Sequence, residues 1–186
     1  SLIVLAPLFS LRHFLYKKGI FKSTKVDAFV VCVGNITLGG TGKTPLIMKL
    51  LDDLNLEKVA LLSRGYGGWK GVGDEPALIK QKFPFVELYI GADRVAMAKK
   101  AVADGHRLIL MDDGMQHLRL KKDLVICTVD GENPYRWLRD LPEKMHEADL
   151  VVVKGPKVAG VEGVRVKMVP KKNFDGKVAI FCGIGK

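Results

Sequence analysis

Ala28-Phe29-Val30-Val31-Cys32-Val33-Gly34 runs without a break into Asn35-Ile36-Thr37-Leu38-Gly39-Gly40-Thr41-Gly42-Lys43-Thr44-Pro45. The first seven residues are a continuous apolar, β-branched run, as a strand buried on both faces requires. From Thr44 onward the apolar residues fall at Leu46, Ile47, Leu50, Leu51 and Leu54, which is helical spacing. Pro45 stands in the first turn, where a missing N–H is tolerated. The glycine-rich stretch is therefore a strand-to-helix turn. Such a turn binds phosphate when glycines let consecutive backbone N–H groups converge on oxygens. The helix N-terminus then faces the anion, a lysine reaches the outer phosphates and a hydroxyl holds Mg²⁺. Gly39, Gly40, Gly42, Lys43 and Thr44 meet these demands. The strict Gly-x-x-x-x-Gly-Lys-[Ser/Thr] pattern would place glycine at 37, where this chain has Thr37. A glycine-rich turn with an incidental lysine is the alternative.

Outward from the loop, strands are expected over 58–63, 86–90, 107–111, 123–129, 150–153, 163–168 and 178–181. Helices are expected from Asp74 to about Lys82 and over 93–104, with a loop and a helix in 131–147. Uniformly apolar strands alternating with helices mark an α/β fold, P-loop NTPase-like, with a mostly parallel sheet covered on both faces. Ligands of such folds sit at the carboxyl ends of the strands. The chemically suggestive residues follow positions 34, 63, 90, 111 and 129.

Asp112-Asp113-Gly114-Met115-Gln116-His117 follows an apolar strand. A carboxylate there suits a hard cation beside a phosphate loop. Adjacent strand residues face opposite ways, so the two aspartates have different jobs. A solvated Asp-Gly turn is the bland alternative. His117 reads equally as a core or capping histidine. Asp93 opens the 93–104 helix at the ligand edge, either as a proton acceptor for a substrate hydroxyl or as a plain N-cap. Arg64 heads a glycine-rich edge, 64–73, suited to contacting phosphate; Tyr66 and Trp69 are lipid- or base-facing aromatics or loop anchors. Asp140 either completes a metal shell or pairs with Arg136 and Arg139.

The chain has 186 residues, of which 48% are hydrophobic and 27% charged. That composition argues against disorder, collagen-like repeats and a polytopic membrane protein. Three cysteines are too few for a disulfide framework. Cys32 and Cys127 lie in apolar runs and read as buried thiols of a reducing compartment. With 30 Lys and Arg against 20 Asp and Glu, the net charge is +10, which calls for an anionic partner. Ser1–Phe9 is apolar but too short to span a bilayer. Residues 1–22 therefore form an amphipathic helix, lying either on a membrane surface or on the domain itself. The strand over 178–181 is expected to lead into further protein.

Val-Gly-Asn-Ile-Thr-Leu-Gly-Gly-Thr-Gly-Lys-Thr-Pro, Ser-Arg-Gly-Tyr-Gly, Gly-Asp-Glu-Pro, Ala-Asp-Arg, Met-Asp-Asp-Gly-Met-Gln-His-Leu-Arg-Leu, Leu-Arg-Asp and Phe-Cys-Gly-Ile-Gly occur here in this order. From about Val31 to Lys186 the chain resembles the tetraacyldisaccharide 4'-kinase family of lipid A biosynthesis. The resemblance implies transfer of the ATP γ-phosphoryl group to the 4'-hydroxyl of a tetraacylated glucosamine disaccharide 1-phosphate. It implies a P-loop kinase domain, 23–186, ending at the hinge to a smaller C-terminal domain. That missing domain supplies a histidine supporting the catalytic carboxylate. Thr37, Leu38, Gly39, Gly40, Thr41, Gly42, Lys43 and Thr44 would bind ATP. Asp93 would be the base; Thr44, Asp112, Gln116 and Asp140 would serve Mg²⁺. Asp140 replaces the family's glutamate and is one methylene shorter. Arg64, Asp113, His117 and Arg139 would contact substrate or phosphate. The partners implied are the anionic glycolipid and the cytoplasmic face of the bacterial inner membrane, held through the N-terminal helix, with no nucleic acid and no protein partner.

Two rival classes exist. A P-loop GTPase or ATPase switch should carry an Asn-Lys-x-Asp guanine reader after a late strand; Lys154-Gly155-Pro156-Lys157 lacks both the Asn and the Asp. A basic membrane- or nucleic-acid-binding module has only the charge in its favour, and the charge is spread along the chain.

Overall fold

The structure, a computed structural model, describes residues 2–53, 58–65 and 74–166, with side chains from Ser10 onward. Helix α1 (Leu2–Lys17) leads to β1 (Phe29–Gly34), α2 (Lys43–Asp53), β2 (Val59–Ser63), α3 (Asp74–Lys82), β3 (Val86–Ile90) and α4 (Arg94–Ala103). Strands β4 (Leu108–Asp112) and β5 (Leu124–Asp130) follow. A 3₁₀ helix (Pro142–Glu147), β6 (Leu150–Lys154) and β7 (Val164–Val166) complete the described part.

The seven strands lie in the order β3-β2-β4-β1-β5-β6-β7, and all six neighbouring pairs are parallel. The chain leaves β1 for one half of the sheet, returns as β4, and builds the other half from β5 to β7. Strand order thus reverses beside β1, and the crevice at that point is where open α/β sheets bind ligands.

Alternation along β1 serves two cores at once. Val30 and Cys32 face one, together with Val95, Ala98 and Ala101 of α4 and Met145 of the 3₁₀ helix. Val31 and Val33 face the other, against Ile47 and Leu51 of α2 and Ile79 of α3. Burial on both sides is why these strands read as unbroken apolar runs. Cys32 and Cys127 are free and buried, and burial lifts their thiols to about 11 and about 12. Both are inert as nucleophiles.

The expected strands and helices appear within a residue or two of their predicted ends over the described residues. Asp74 is the first residue of α3. The helix expected within 131–147 is a single short 3₁₀ helix, because Asn133-Pro134 and Pro142 break the backbone pattern. Tyr66, Trp69 and the strand expected over 178–181 lie outside the described residues, as does the end of the 163–168 strand.

Helix α1 continues through Pro7. Among the described residues no helix is long and apolar enough to cross a membrane. Arg12, His13, Leu15 and Tyr16 are half-buried, whereas Leu11, Phe14, Lys17 and Lys18 are exposed. The chain after α1 is stitched to the segment following β4: Ser23 Oγ donates to the Leu118 carbonyl at 2.6 Å. Thr24 N donates to the Arg119 carbonyl at 2.7 Å, and Lys121 N to the Thr24 carbonyl at 2.8 Å.

Leu61 is fully buried at the centre of β2, whereas Leu11 is 52% exposed. Leu61→Ala removes packed methyl groups and leaves a cavity, so it lowers unfolding free energy by about 2–5 kcal/mol. Leu11→Ala stays within about 0.5 kcal/mol. Urea denaturation of the two variants checks both.

Candidate functional site

The turn between β1 and α2 is held from below. Asn35 Nδ2 donates to Thr41 Oγ1 at 3.1 Å, Thr41 Oγ1 lies 2.7 Å from Thr128 Oγ1, and Thr128 Oγ1 donates to the Gly34 carbonyl at 3.1 Å. Each hydroxyl has one proton, so the direction is fixed: Asn35 to Thr41 to Thr128 to Gly34. Gly39 and Gly42 have φ of 115° and 92°, values that residues with a Cβ avoid. Thr37 takes no such conformation. It is buried and forms an antiparallel bridge with Leu138, beside Leu38 N donating to the Trp137 carbonyl at 2.8 Å. Position 37 is therefore a bridged, extended residue and has no need of glycine. Lys43 and Thr44 open α2, half-buried at the rim.

Strand β4 brings the aspartates alongside. Asp113 N donates to the Val33 carbonyl at 2.9 Å, and Asp113 has a left-handed φ of 57°. Its carboxylate is gripped by Arg139, with Nη1 to Oδ2 at 2.7 Å and Nη2 to Oδ1. Lys43 Nζ lies 3.8 Å from Asp113 Oδ1. Burial pushes the Asp113 carboxyl up, but the Arg139 hydrogen bonds and the Lys43 charge outweigh it, and the group titrates below the usual range. Arg139 also donates to the Asn35 side-chain oxygen and, at 3.2 Å, to its carbonyl.

Asp112 is the opposite case. It is 6% exposed, and Oδ1 has no hydrogen-bond partner. Burial raises its pKa to about 6, with Asp113 and Glu75 adding to the effect and Lys43 opposing it. Gln116 Nε2 donates to the Asn35 carbonyl and to Asp140 Oδ2, each at 3.1 Å. Asp140 is buried and accepts from Leu141 N at 2.9 Å. Asn35, Asp113, Gln116, Arg139 and Asp140 thus form one knot beside the loop.

Among the described residues no group of three or more His, Cys, Asp and Glu side chains makes a metal cage. Mg²⁺ does not need one, since it keeps water and phosphate oxygens in its shell. The unpartnered Asp112 oxygen, the Gln116 amide oxygen, the Thr44 hydroxyl and Asp140 are hard oxygen donors, and they fit that ion.

Asp93 stands further off. Strand β3 is three positions from β1, roughly 14 Å across the sheet. Asp93 caps α4: Oδ1 accepts from Val95 N at 3.0 Å and Ala96 N at 3.1 Å. Oδ2 lies 3.7 Å from Arg119 Nη1. The Ala96 amide above all, with Arg119 and the Val95 amide, holds this carboxyl below its ordinary range. His117 is half-buried, with Nε2 unpartnered; burial, then Arg94, Lys122 and Arg119, lower its pKa to about 4, so it is neutral. Arg64 is exposed just past β2.

Sequence reasoning missed Arg94, Asn35, Thr128 and Lys154. Arg94 is buried and its charge acts on Asp112, Asp113 and His117. Its signal was the Asp-Arg pair after an apolar strand. Lys154 Nζ donates to the Gly40 carbonyl at 3.1 Å and lies 3.5 Å from Asp130 Oδ2.

The family model described as tetraacyldisaccharide-1-P 4'-kinase matches residues 2–185. A tetraacyldisaccharide 4'-kinase of Colwellia psychrerythraea is 36% identical over 170 residues, 78% of this chain and 49% of that protein. One of Methylobacillus flagellatus is 35% identical over 190 residues, covering 88% and 56%. One of Caulobacter vibrioides is 49% identical over 123 residues, covering 58% and 36%. The chain thus spans about half the length of the first two relatives. The crystal structure of LpxK from Aquifex aeolicus in complex with ATP superposes with a TM-score of 0.75 at 28% identity, over 89% of this chain and 61% of that one. The signal recognition particle receptor FtsY of Elizabethkingia anophelis, at 18% identity and a TM-score of 0.50, shares the fold alone. With the family model matched over residues 2–185 and relatives 35–36% identical over more than three quarters of its length, this chain belongs to the tetraacyldisaccharide 4'-kinase family.

Proposed function

We propose that the protein of which this chain is a part transfers the γ-phosphoryl group of ATP to the 4'-hydroxyl of a tetraacylated glucosamine disaccharide 1-phosphate. The observation that carries this reading is the convergence of Lys43, Asp112, Gln116 and Asp140 on one end of a preformed phosphate loop. Phosphoryl transfer needs positioning and charge neutralisation more than covalent chemistry. The loop amides of 39–44 grip the phosphates, and Lys43 neutralises their outer end. Arg139 is spent on Asp113 and Asn35, which keeps the loop in register with β4. When bound, Mg²⁺ would supply charge neutralisation at the phosphate oxygens, held by Thr44, Asp112, Gln116 and Asp140. Asp93 is the proton acceptor of this reading. Its cap uses Oδ1 alone, and Oδ2, 3.7 Å from Arg119 Nη1 and so beyond hydrogen-bond distance of it, is the oxygen that would meet a hydroxyl. His117, neutral beside Asp93, and Arg64 at the β2 edge complete the acceptor side.

The reading extends to the membrane. Leu11 and Phe14 with Lys17 and Lys18 form an apolar, basic outer face on α1, and Ile20 and Phe21 continue it as exposed apolar residues. Such a face suits an anionic bilayer surface, here the cytoplasmic face of the inner membrane. A smaller C-terminal domain beyond this chain completes the enzyme.

The full-length parent is incubated with Mg²⁺-ATP and the lipid A disaccharide precursor in detergent, and label is followed into lipid. Lys43→Ala lowers transfer at least about 100-fold, as loss of a preorganised cation at developing charge does. Label appearing only as free phosphate favours the switch reading instead. Asp93→Asn retains a good N-cap but cannot take a proton, so transfer falls by about 100-fold or more with thermal stability unchanged. Undiminished transfer reduces Asp93 to a cap.

The raised pKa of Asp112 makes stability depend on pH in a defined direction. Below about pH 4 the group is neutral in folded and unfolded chains alike and costs nothing. As pH rises through about 6, the folded state must either hold a dry charge or keep the proton, and up to about 3 kcal/mol is lost. In metal-free buffer Asp112→Asn is therefore more stable than the parent at pH 7 and equal to it at pH 4. Urea titrations at the two pH values test this, and a difference of the same size at both contradicts it.

A further inference from the structure

A phosphate repels any carbonyl oxygen turned towards it, so a phosphate loop must keep its own carbonyls occupied elsewhere. The Gly39 carbonyl accepts from Thr41 N at 2.9 Å, and the Gly42 carbonyl from Leu46 N at 3.1 Å. Loop and helix thus satisfy these two themselves. The Gly40 carbonyl is taken by a side chain from far along the chain: Lys154 Nζ donates to it at 3.1 Å, from 114 positions away. Resting on the ATP reading above, we infer that Lys154 is a positioning residue for phosphoryl transfer, a cation that draws the Gly40 carbonyl towards β6 and so holds the loop in its anion-binding shape.

The surroundings of Lys154 fix it for that task. It is the last residue of β6, and Asp130, the last of β5, is its register partner. Asp130 Oδ2 lies 3.5 Å from the Lys154 ammonium, while Oδ1 accepts from Glu132 N at 3.2 Å. Gly131 N donates to the Lys154 carbonyl at 2.8 Å. A Cβ at Gly131 would come within 2.0 Å of the Pro156 carbonyl oxygen, so the two strand ends meet backbone to backbone. Lys154 is therefore anchored at its main chain and at its head. A Cβ at Gly42 would meet the Lys154 Cδ at 3.9 Å, so the stem runs past Gly42 while the head reaches Gly40. Two ammonium groups thus flank the loop. Lys43 lies 3.8 Å from Asp113 at the end of β4, and Lys154 stands on the side of β6. The glycine-lysine motif records the first alone, since the second comes from another strand. Lys154 opens the Lys154-Gly155-Pro156-Lys157 stretch, which lacks a guanine reader; here it serves the phosphate loop instead. Without the ammonium, the Gly40 peptide is free to turn, and fixing it again costs phosphate binding. Saturating ATP restores the loop, so the loss falls on KM and spares kcat.

Lys154→Met and Lys154→Arg are made in the full-length parent and assayed over a range of Mg²⁺-ATP with the lipid A disaccharide precursor. Met keeps the stem and removes the charge. It raises the KM for ATP about tenfold, as loss of a hydrogen bond from a charged donor does, and leaves kcat within about threefold. Arg supplies a charged donor again and brings KM back to within about threefold of the parent. Calorimetry of Lys154→Met with Mg²⁺-ATP and with Mg²⁺-tripolyphosphate shows the same loss for both, because the effect passes through the loop and not through the nucleoside. The melting temperature stays at that of the parent, since a part-exposed pair adds little to stability. An unchanged KM in Lys154→Met overturns the positioning role, as does a loss for ATP that tripolyphosphate does not share. An equal rise in KM in Lys154→Arg, with a lowered melting temperature in both variants, also overturns it and leaves Lys154 a structural residue. An unaltered parent that neither binds Mg²⁺-ATP nor labels lipid is the separate failure of the ATP reading, and the role of Lys154 falls with it.

Discussion

The turn between β1 and α2 keeps its shape because four polar groups beneath it have satisfied one another in a single direction. Asn35, Thr41 and Thr128 are all buried. A buried donor or acceptor left without a partner costs about 1–3 kcal/mol. In the relay that ends on the Gly34 carbonyl both threonine hydroxyl protons are committed, which favours this arrangement of the loop over others. The relay spans β1, the loop and β5, and it locks the loop to the sheet at the point where strand order reverses. The loop is therefore held in one shape before any ligand arrives. That is what electrostatic preorganisation requires of a phosphoryl-transfer site.

The two neighbouring aspartates show how one sheet edge produces opposite electrostatic states from identical side chains. Asp113 turns through a left-handed backbone into the Arg139 fork and is held charged. Asp112, still within β4, points into a dry environment without a hydrogen-bond partner for Oδ1. A buried carboxylate in that condition either keeps its proton or receives a cation. The Lys43 ammonium opposes the effect of burial on Asp112 but does not cancel it. In the proposed reading, a divalent cation carried in with phosphate oxygens would supply what the protein leaves out, and it would have to displace that proton as pH falls towards 6.

Much of this was readable in the chain. Strands buried on both faces must be apolar throughout, and helices covering them must be apolar on one side, so Val30 to Val33 and Ile47 to Leu51 declare themselves. Lys43 and Thr44 followed from the same boundary. The order of strands was not readable, since any crossover satisfies the same apolar pattern. Nor was the pairing of Arg139 with Asp113, which lie 26 positions apart in the chain and carry no periodic signal. Thr37 looked like a defect in a glycine motif because the motif records loop torsions. Here the needed torsions sit at Gly39 and Gly42, and Thr37 belongs to a bridge with Leu138 that no local pattern announces. Both sequence readings of Asp93 depended on a distance, and the helix-cap half of them is visible in the bonds to Val95 and Ala96.

The segment after the N-terminal helix is joined to residues 118–121 by the Ser23 hydroxyl and the Thr24 backbone. The same segment carries Gln116 and His117 a few residues earlier, so the chain after α1 is tied to the rim at which the proposed acceptor would enter. In the proposed reading this solves a geometric problem. A glycolipid whose acyl chains stay in the bilayer offers its hydroxyl only at a limited height above the surface, and the enzyme must hold its phosphate loop at that height. An arm tied to the site through main-chain hydrogen bonds sets such a distance better than a flexible tether.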